Sequence, residues 1–151
     1  MTSVLFVCLG NICRSPLAEG VFRHTVEQAG HGGRVLIDSA GIGNWHRGNP
    51  PDPRSVEVAA LNGIDISNLR ARQVERHDFD RFDLILAMDR DNLASLRRMS
   101  GPDQTARIRL FLERPARDVP DPYYGGADGF QDVYGLVKSG CLDLLEELRL
   151  V

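Results

Sequence analysis

The sequence predicts an α/β fold: a three-layer sandwich with a central four-stranded parallel sheet flanked by helices on both faces. Three observations point there. Short apolar runs at 4–7, 35–40, 84–88 and 108–112 read as strands buried on both sides. Segments with apolar residues at helical spacing lie between and after them. Gly- and Pro-rich loops separate the two, and no repeat, linker or low-complexity tract breaks the alternation. A chain of 151 residues suits one domain, spanning 1–151.

Each element has its own signal. Residues 4–7, Val-Leu-Phe-Val, form the first strand. A helix follows from Ser15 to about Gly30, with Ser15 as cap, Pro16 at the first helical position, and Leu17, Val21, Phe22, Val26 and Ala29 as its apolar stripe. Residues 30–33 end it and 35–40 make the second strand. The loop 41–53 carries Trp45, the sole tryptophan, and loops of this length in small domains are often functional. Asp52 and Pro53 open a helix that runs to about Asn62 and stops at Gly63. Residues 72–82 read as a short helix plus a turn, and 84–88 as the third strand. Asp89 caps a helix through about Met99. Residues 108–112 form the fourth strand, and 113–126, ERPARDVPDPYYGG, a second long loop. The last helix covers about 127–150, with Phe130, Val133, Tyr134, Val137, Cys141, Leu144, Leu145 and Leu148 on one face.

Composition bounds the function. Hydrophobic residues are 42% and charged residues 26%, ordinary for a globular protein. A net charge of −3 argues against a nucleic-acid partner, which favours a basic face, though a local pocket can still be positive. No apolar run approaches about 18 residues and no signal peptide is visible, so no membrane partner is expected. Three cysteines do not make a secreted disulfide framework, so a cytoplasmic location is expected. Four scattered histidines, with no HExxH and no CxxC, suggest no metal and no cofactor.

In such a fold, ligands bind beyond the C-terminal ends of the strands. The loop after the first strand is CLGNICRSP. Strand, tight loop and helix N-terminus together bind anions, through unpaired N–H groups and the positive end of the helix dipole. Residues 9–14 can turn further amides inward as a nest, Gly10 permits the backbone angles this needs, and Arg14 adds a planar fork matching two phosphate oxygens. The Lys-Ser/Thr pair of a nucleotide-binding P-loop is absent. The same positive field lowers the pKa of a neighbouring thiol, from ~8.5 to about 3.5–7.5 in known settings, which prepares Cys8 to attack phosphorus.

Cys8, five residues, then Arg14-Ser15 is the C-x5-R-[ST] pattern of cysteine-dependent phosphatases. CLGNICRSP resembles the signature of the low-molecular-weight protein tyrosine phosphatases. The likeness continues in DSAG (38–41), GNPPDPR (48–54), ARQV (71–74), AMDRDNL (87–93) and DPYYGG (121–126), in order along nearly the whole chain. It implies hydrolysis of phosphotyrosine proteins or small aryl phosphates through a phosphocysteine. In that reading Cys8 is the nucleophile, Arg14 the phosphate clamp, and Asp121 the general acid and then base. The phosphate is bound by Leu9, Gly10, Asn11, Ile12, Cys13, Arg14 and Ser15. Asn11, Ser15 and Ser39 support the loop, Ser15 by donating to the Cys8 sulfur. Leu9, Trp45, Tyr123 and Tyr124 wall a slot too deep for phosphoserine, with His46 and Asn49 at its rim.

The resemblance also implies a redox role for Cys13, through a reversible disulfide with Cys8. Cys141 is expected to pack in the core. Many relatives carry a histidine near Leu69 that bonds the loop asparagine; here Leu69 and Asn68 stand in its place, leaving Ser39 as the expected partner of Asn11. The chain is expected to be a monomer or weakly self-associating. The competing functions are a thiol-coupled arsenate reductase, which shares this fold and loop but needs a cysteine relay, and a non-catalytic phosphate-binding module.

Overall fold

Val4, Leu5, Phe6 and Val7 are wholly inaccessible to water, and this places their strand at the middle of the sheet. The computed structural model describes residues 1–150. In it β1 (Thr2–Cys8) pairs in parallel with β2 (Val35–Gly41) on one side and β3 (Leu84–Ala87) on the other; β4 (Arg107–Leu110) completes the order β2-β1-β3-β4. Alternation along β1 sends its side chains to two different cores. Val4, Phe6 and Cys8 enter the larger one, with α1 (Arg14–Gln28), α2 (Pro53–Leu61) and α5 (Ala127–Glu147). Leu5 and Val7 enter the smaller one, with the short α3 (Asp78–Arg81) and α4 (Arg90–Met99). This is the predicted three-layer sandwich. Phe6 anchors the larger core, meeting Phe22 and Phe111 edge-on at centroid distances of 5.9 and 5.5 Å.

The chain runs from β1 out to β2, then returns to the far side of β1. The sheet therefore reverses direction beside the C-terminal end of β1, where open α/β sheets bind ligands. Among the described residues no helix is long and apolar enough to cross a membrane.

Several local expectations are corrected. Ser15 does not cap α1. The helix starts at Arg14 with Cys13 as N-cap and no side-chain cap bond, because the Ser15 hydroxyl is engaged by Cys8 and Asn11. Most of 72–82 is not helical. Gln73 bridges to Gly41, held by Gly41 N–H on the Arg72 carbonyl (2.8 Å) and Val74 N–H on the Gly41 carbonyl (2.9 Å). Arg72 reaches across to the Asp38 and Asp78 carboxylates, and only α3 remains. The fourth strand stops at Leu110. Leu112 begins a separate hairpin, β5 (Leu112–Glu113) against β6 (Ala116–Arg117), inside what reads in the sequence as loop. The last helix ends at Glu147, and Arg149 turns left-handed (φ 58°).

Candidate active site

Cys8 is the last residue of β1 and Arg14 the first of α1, so residues 9–13 form the loop over the reversal point. Three of its carbonyls, and that of Cys8 just before it, are held from outside. Cys8 C=O accepts from Ile42 N–H (3.0 Å), Leu9 C=O from Gly43 N–H (3.0 Å), Ile12 C=O from Asp52 N–H (2.8 Å) and Cys13 C=O from the Ser55 hydroxyl (3.3 Å). Among the described residues, no N–H of Leu9 to Cys13 donates to a protein acceptor. With carbonyls tied outward, those donors are left for a ligand. The left-handed residue of the loop is Asn11 (φ 58°), not Gly10 as the sequence suggests. Asparagine tolerates that conformation better than most residues. Gly41, whose steric role sequence reasoning missed, lies close against the loop backbone: a Cβ there would stand 3.0 Å from Gly10 C and 3.1 Å from Asn11 N, while one on Gly10 would stand 2.9 Å from His46 Cδ2.

A buried polar chain ends on the Cys8 sulfur. Glu19 Oε1 accepts from the Ser39 hydroxyl (2.6 Å), and Asn11 Nδ2 donates to Ser39 Oγ (3.0 Å) and to Ser15 Oγ (2.8 Å). Ser15 Oγ lies 2.9 Å from Cys8 Sγ. Since the Ser15 oxygen already accepts from Asn11, its hydrogen is available to the sulfur. Asn11 Oδ1 is fixed by Arg72 N–H (3.0 Å). A backbone amide thus anchors the loop asparagine in a chain with no histidine at 69; Leu69 packs against the larger core. Burial pushes the Glu19 carboxyl above its usual range, partly opposed by its bonds to Ser39 and Arg23.

Arg14 is 2% exposed. Its Nη1 is engaged twice, by Asp89 Oδ2 (2.6 Å) and Val119 C=O (2.9 Å). Nη2 lies 3.6 Å from Asp121 Oδ2, and the buried Nε has no partner among the described residues. Burial acts to lower the guanidinium pKa, but Cys8, Asp89 and Asp121 more than offset it and hold it above its ordinary value. Asp89 is a site residue the sequence reading treated only as a helix cap. Its place just after a strand at the same sheet edge was the available signal.

Asp121 arrives from the segment after the β5–β6 hairpin. It lines the same cavity as Cys8 and Arg14, about 310 Å³ in volume. Its Oδ1 accepts from Tyr123 N–H (3.1 Å). Leu9, Trp45, His46, Tyr123 and Tyr124 form the outer wall, with Trp45 and Tyr124 largely exposed. The Trp45 ring lies where a Cβ on Gly43 would be, so that glycine makes room for it. Tyr123 and Tyr124 meet edge-on at 4.9 Å. Asn49 does not line the cavity; its carbonyl accepts from Ala71 N–H (2.9 Å).

Cys13 also lines the cavity. Burial, then the charges of Asp52, Cys8 and Asp121, push its thiol up to about 12, against a smaller lowering by Arg54. It is a neutral thiol at physiological pH. Cys141 is fully buried, with its Sγ against the Ala18 carbonyl (3.9 Å). Among the described residues, no group of three His, Cys, Asp or Glu side chains is arranged to hold a metal ion.

Residues 3–150 match the family model described as low molecular weight phosphotyrosine protein phosphatase. The chain belongs to that family. It is similar to the low molecular weight protein-tyrosine-phosphatase YfkJ of Bacillus subtilis, 48% identical over 153 residues, covering 99% of this chain and 97% of that one. It is 52% identical over 136 residues to the low molecular weight phosphotyrosine protein phosphatase of Schizosaccharomyces pombe, covering 87% and 86%. The crystal structure of a protein tyrosine phosphatase from Entamoeba histolytica superposes with a TM-score of 0.94 at 35% identity, covering 99% and 97%. Each of these matches covers 87% or more of this chain.

Proposed function

We propose that a single domain over residues 1–151 hydrolyses phosphotyrosine and small aryl phosphates in two displacements at Cys8. In the first, the Cys8 sulfur attacks phosphorus, the bond from phosphorus to the phenolic oxygen breaks, and the Asp121 carboxyl gives its proton to that oxygen. Tyrosine leaves and phosphocysteine remains. In the second, the Asp121 carboxylate takes a proton from water, the water oxygen attacks phosphorus, and the S–P bond breaks. Inorganic phosphate leaves, with Cys8 again a thiolate and Asp121 again protonated. Tyrosine's phenolate has a pKa near 10, so protonating it contributes about 10²–10⁴ to the rate.

Arg14 is the clamp. With Nη1 engaged by Asp89 and Val119, its Nε and Nη2 form the edge that matches two phosphate oxygens. The amides of Leu9, Gly10, Asn11, Ile12 and Cys13, with the α1 N-terminus at Arg14 and Ser15, hold the remaining charge. Asn11, Ser15 and Ser39 keep the loop rigid, and the aromatic walls take the phenyl ring. The one observation that carries this reading is the meeting of Cys8, Arg14 and Asp121 in one cavity. A neutral Cys13 supports Cys8 as the nucleophile, and Cys13 remains a candidate redox partner for it. The buried Cys141 disfavours an arsenate-reducing relay. Three free cysteines suit the reducing cytoplasm, and a monomer, or a weak self-associate through the aromatic rim, is the working form.

The test is turnover of p-nitrophenyl phosphate and a phosphotyrosyl peptide by wild type and Cys8→Ser. Wild type turns over both; the variant turns over neither, yet still binds inorganic phosphate by calorimetry. Residual turnover in Cys8→Ser contradicts the assignment.

A further inference from the structure

Arg54 sits in the first turn of α2, outside the cavity lining, and joins its two halves. Asp52, the N-cap of α2, donates its N–H to the Ile12 carbonyl (2.8 Å) and so is fastened to the phosphate loop. Its carboxylate grips the Arg54 guanidinium from one edge, Oδ1 on Nε and Oδ2 on Nη2, both at 3.0 Å. The outer edge of the same guanidinium donates to the acid segment, Nη2 to Tyr123 C=O (2.9 Å) and Nη1 to Gly125 C=O (3.2 Å). Its face lies 4.4 Å from the centroid of the buried Phe130 ring. Among the described residues, every hydrogen bond joining 122–126 to a distant part of the chain comes from Arg54.

We infer that Arg54 is a positioning residue that sets where the Asp121 carboxyl stands relative to Cys8, by clipping the acid segment to the phosphate loop through Asp52. The inference rests on Asp121 being the general acid. Only a planar fork can meet two carboxylate oxygens, two carbonyls and a ring face at once; a lysine offers a compact point charge. Misplacing a reacting group by about 1 Å can cost on the order of 10²-fold.

The experiment measures kcat/KM for phenyl phosphate, a poor leaving group, and p-nitrophenyl phosphate, a good one, in wild type, Arg54→Ala, Arg54→Lys and Asp121→Ala. Arg54→Ala is expected to lose roughly 10–100-fold on phenyl phosphate and far less on the nitrophenyl ester, while competitive inhibition by inorganic phosphate is unchanged. Adding Arg54→Ala to Asp121→Ala is expected to cost little more on phenyl phosphate, because both act through one carboxyl. If Arg54→Ala does not fold, Arg54→Lys, which keeps a cation beside Asp52, carries the same test. Equal losses on both esters, or no loss, in the folded Arg54 variants overturn the inference. If Asp121→Ala itself shows no leaving-group selectivity, the assignment of Asp121 has failed instead.

Discussion

The Ser15 hydroxyl shows how one residue's role follows from its partners. It accepts from Asn11 Nδ2 and so has a hydrogen to give to Cys8 Sγ, 2.9 Å away. A donor at that place stabilises the sulfur most when it leaves phosphorus as a thiolate. Ser15→Ala should therefore slow breakdown of phosphocysteine more than its formation. A hydrogen bond to a charged atom is worth about 1.5–3 kcal/mol, or roughly 10–100-fold in kcat. Stopped-flow measurement should show a retained burst of p-nitrophenol followed by a slower steady state. An unchanged kcat would mean the hydroxyl does not assist the leaving sulfur. The same logic explains why a chain without a histidine at 69 keeps its loop braced. Asn11 Nδ2 spends its two hydrogens on Ser15 and Ser39, and the Arg72 N–H donates to Asn11 Oδ1 at the other end of the same amide.

Among the elements, α1 carries the most. It supplies Arg14 and Ser15 at its start, packs along β1, β2 and α5, and passes close to a neighbour at Gly20. A Cβ there would stand 2.3 Å from Ile66 Cγ2 and 3.4 Å from Ile64 Cγ2, both buried side chains. Gly20→Ala gains about 1 kcal/mol in helix propensity but overpacks this contact by about 1–3 kcal/mol. The net cost of about 0–2 kcal/mol lowers Tm by up to about 8 °C; a higher Tm would show that Ile66 yields freely.

The elements also show what sequence reasoning can reach. The runs 4–7 and 84–88 were legible because both faces of their strands are buried, which demands unbroken apolar residues. The boundaries were less so. Ser3 belongs to β1 because it pairs with Leu36 of β2, and its N–H and hydroxyl also meet Asp83, 80 positions away. Leu112 leaves the sheet for the β5–β6 hairpin, which is too short to show a period. The stretch 72–74 is extended because Gly41, the distant Asp38 and the nearby Asp78 claim Arg72 and its neighbours. The C-x5-R-S motif was readable because it is local. Asp89 on Arg14 and Arg72 on Asn11 were not, since those contacts span 75 and 61 positions.

At the scale of the molecule, the fold gathers separate loops at one sheet edge. The end of β1 gives Cys8, the start of α1 gives Arg14, the turn after β3 gives Asp89, and the segment after β6 gives Asp121. None of these touches another without the parallel order β2-β1-β3-β4. The chemistry then reduces to one covalent event on one sulfur. The direct measurement is an acid quench of Asp121→Ala during turnover of p-nitrophenyl phosphate, followed by mass spectrometry of the peptide containing Cys8. The result expected is one phosphoryl group on Cys8, absent when Cys8→Ser is combined with it. A phosphoryl group on any other residue, or a burst of p-nitrophenol with no phosphorylated protein, would contradict a thiolate nucleophile at that strand end.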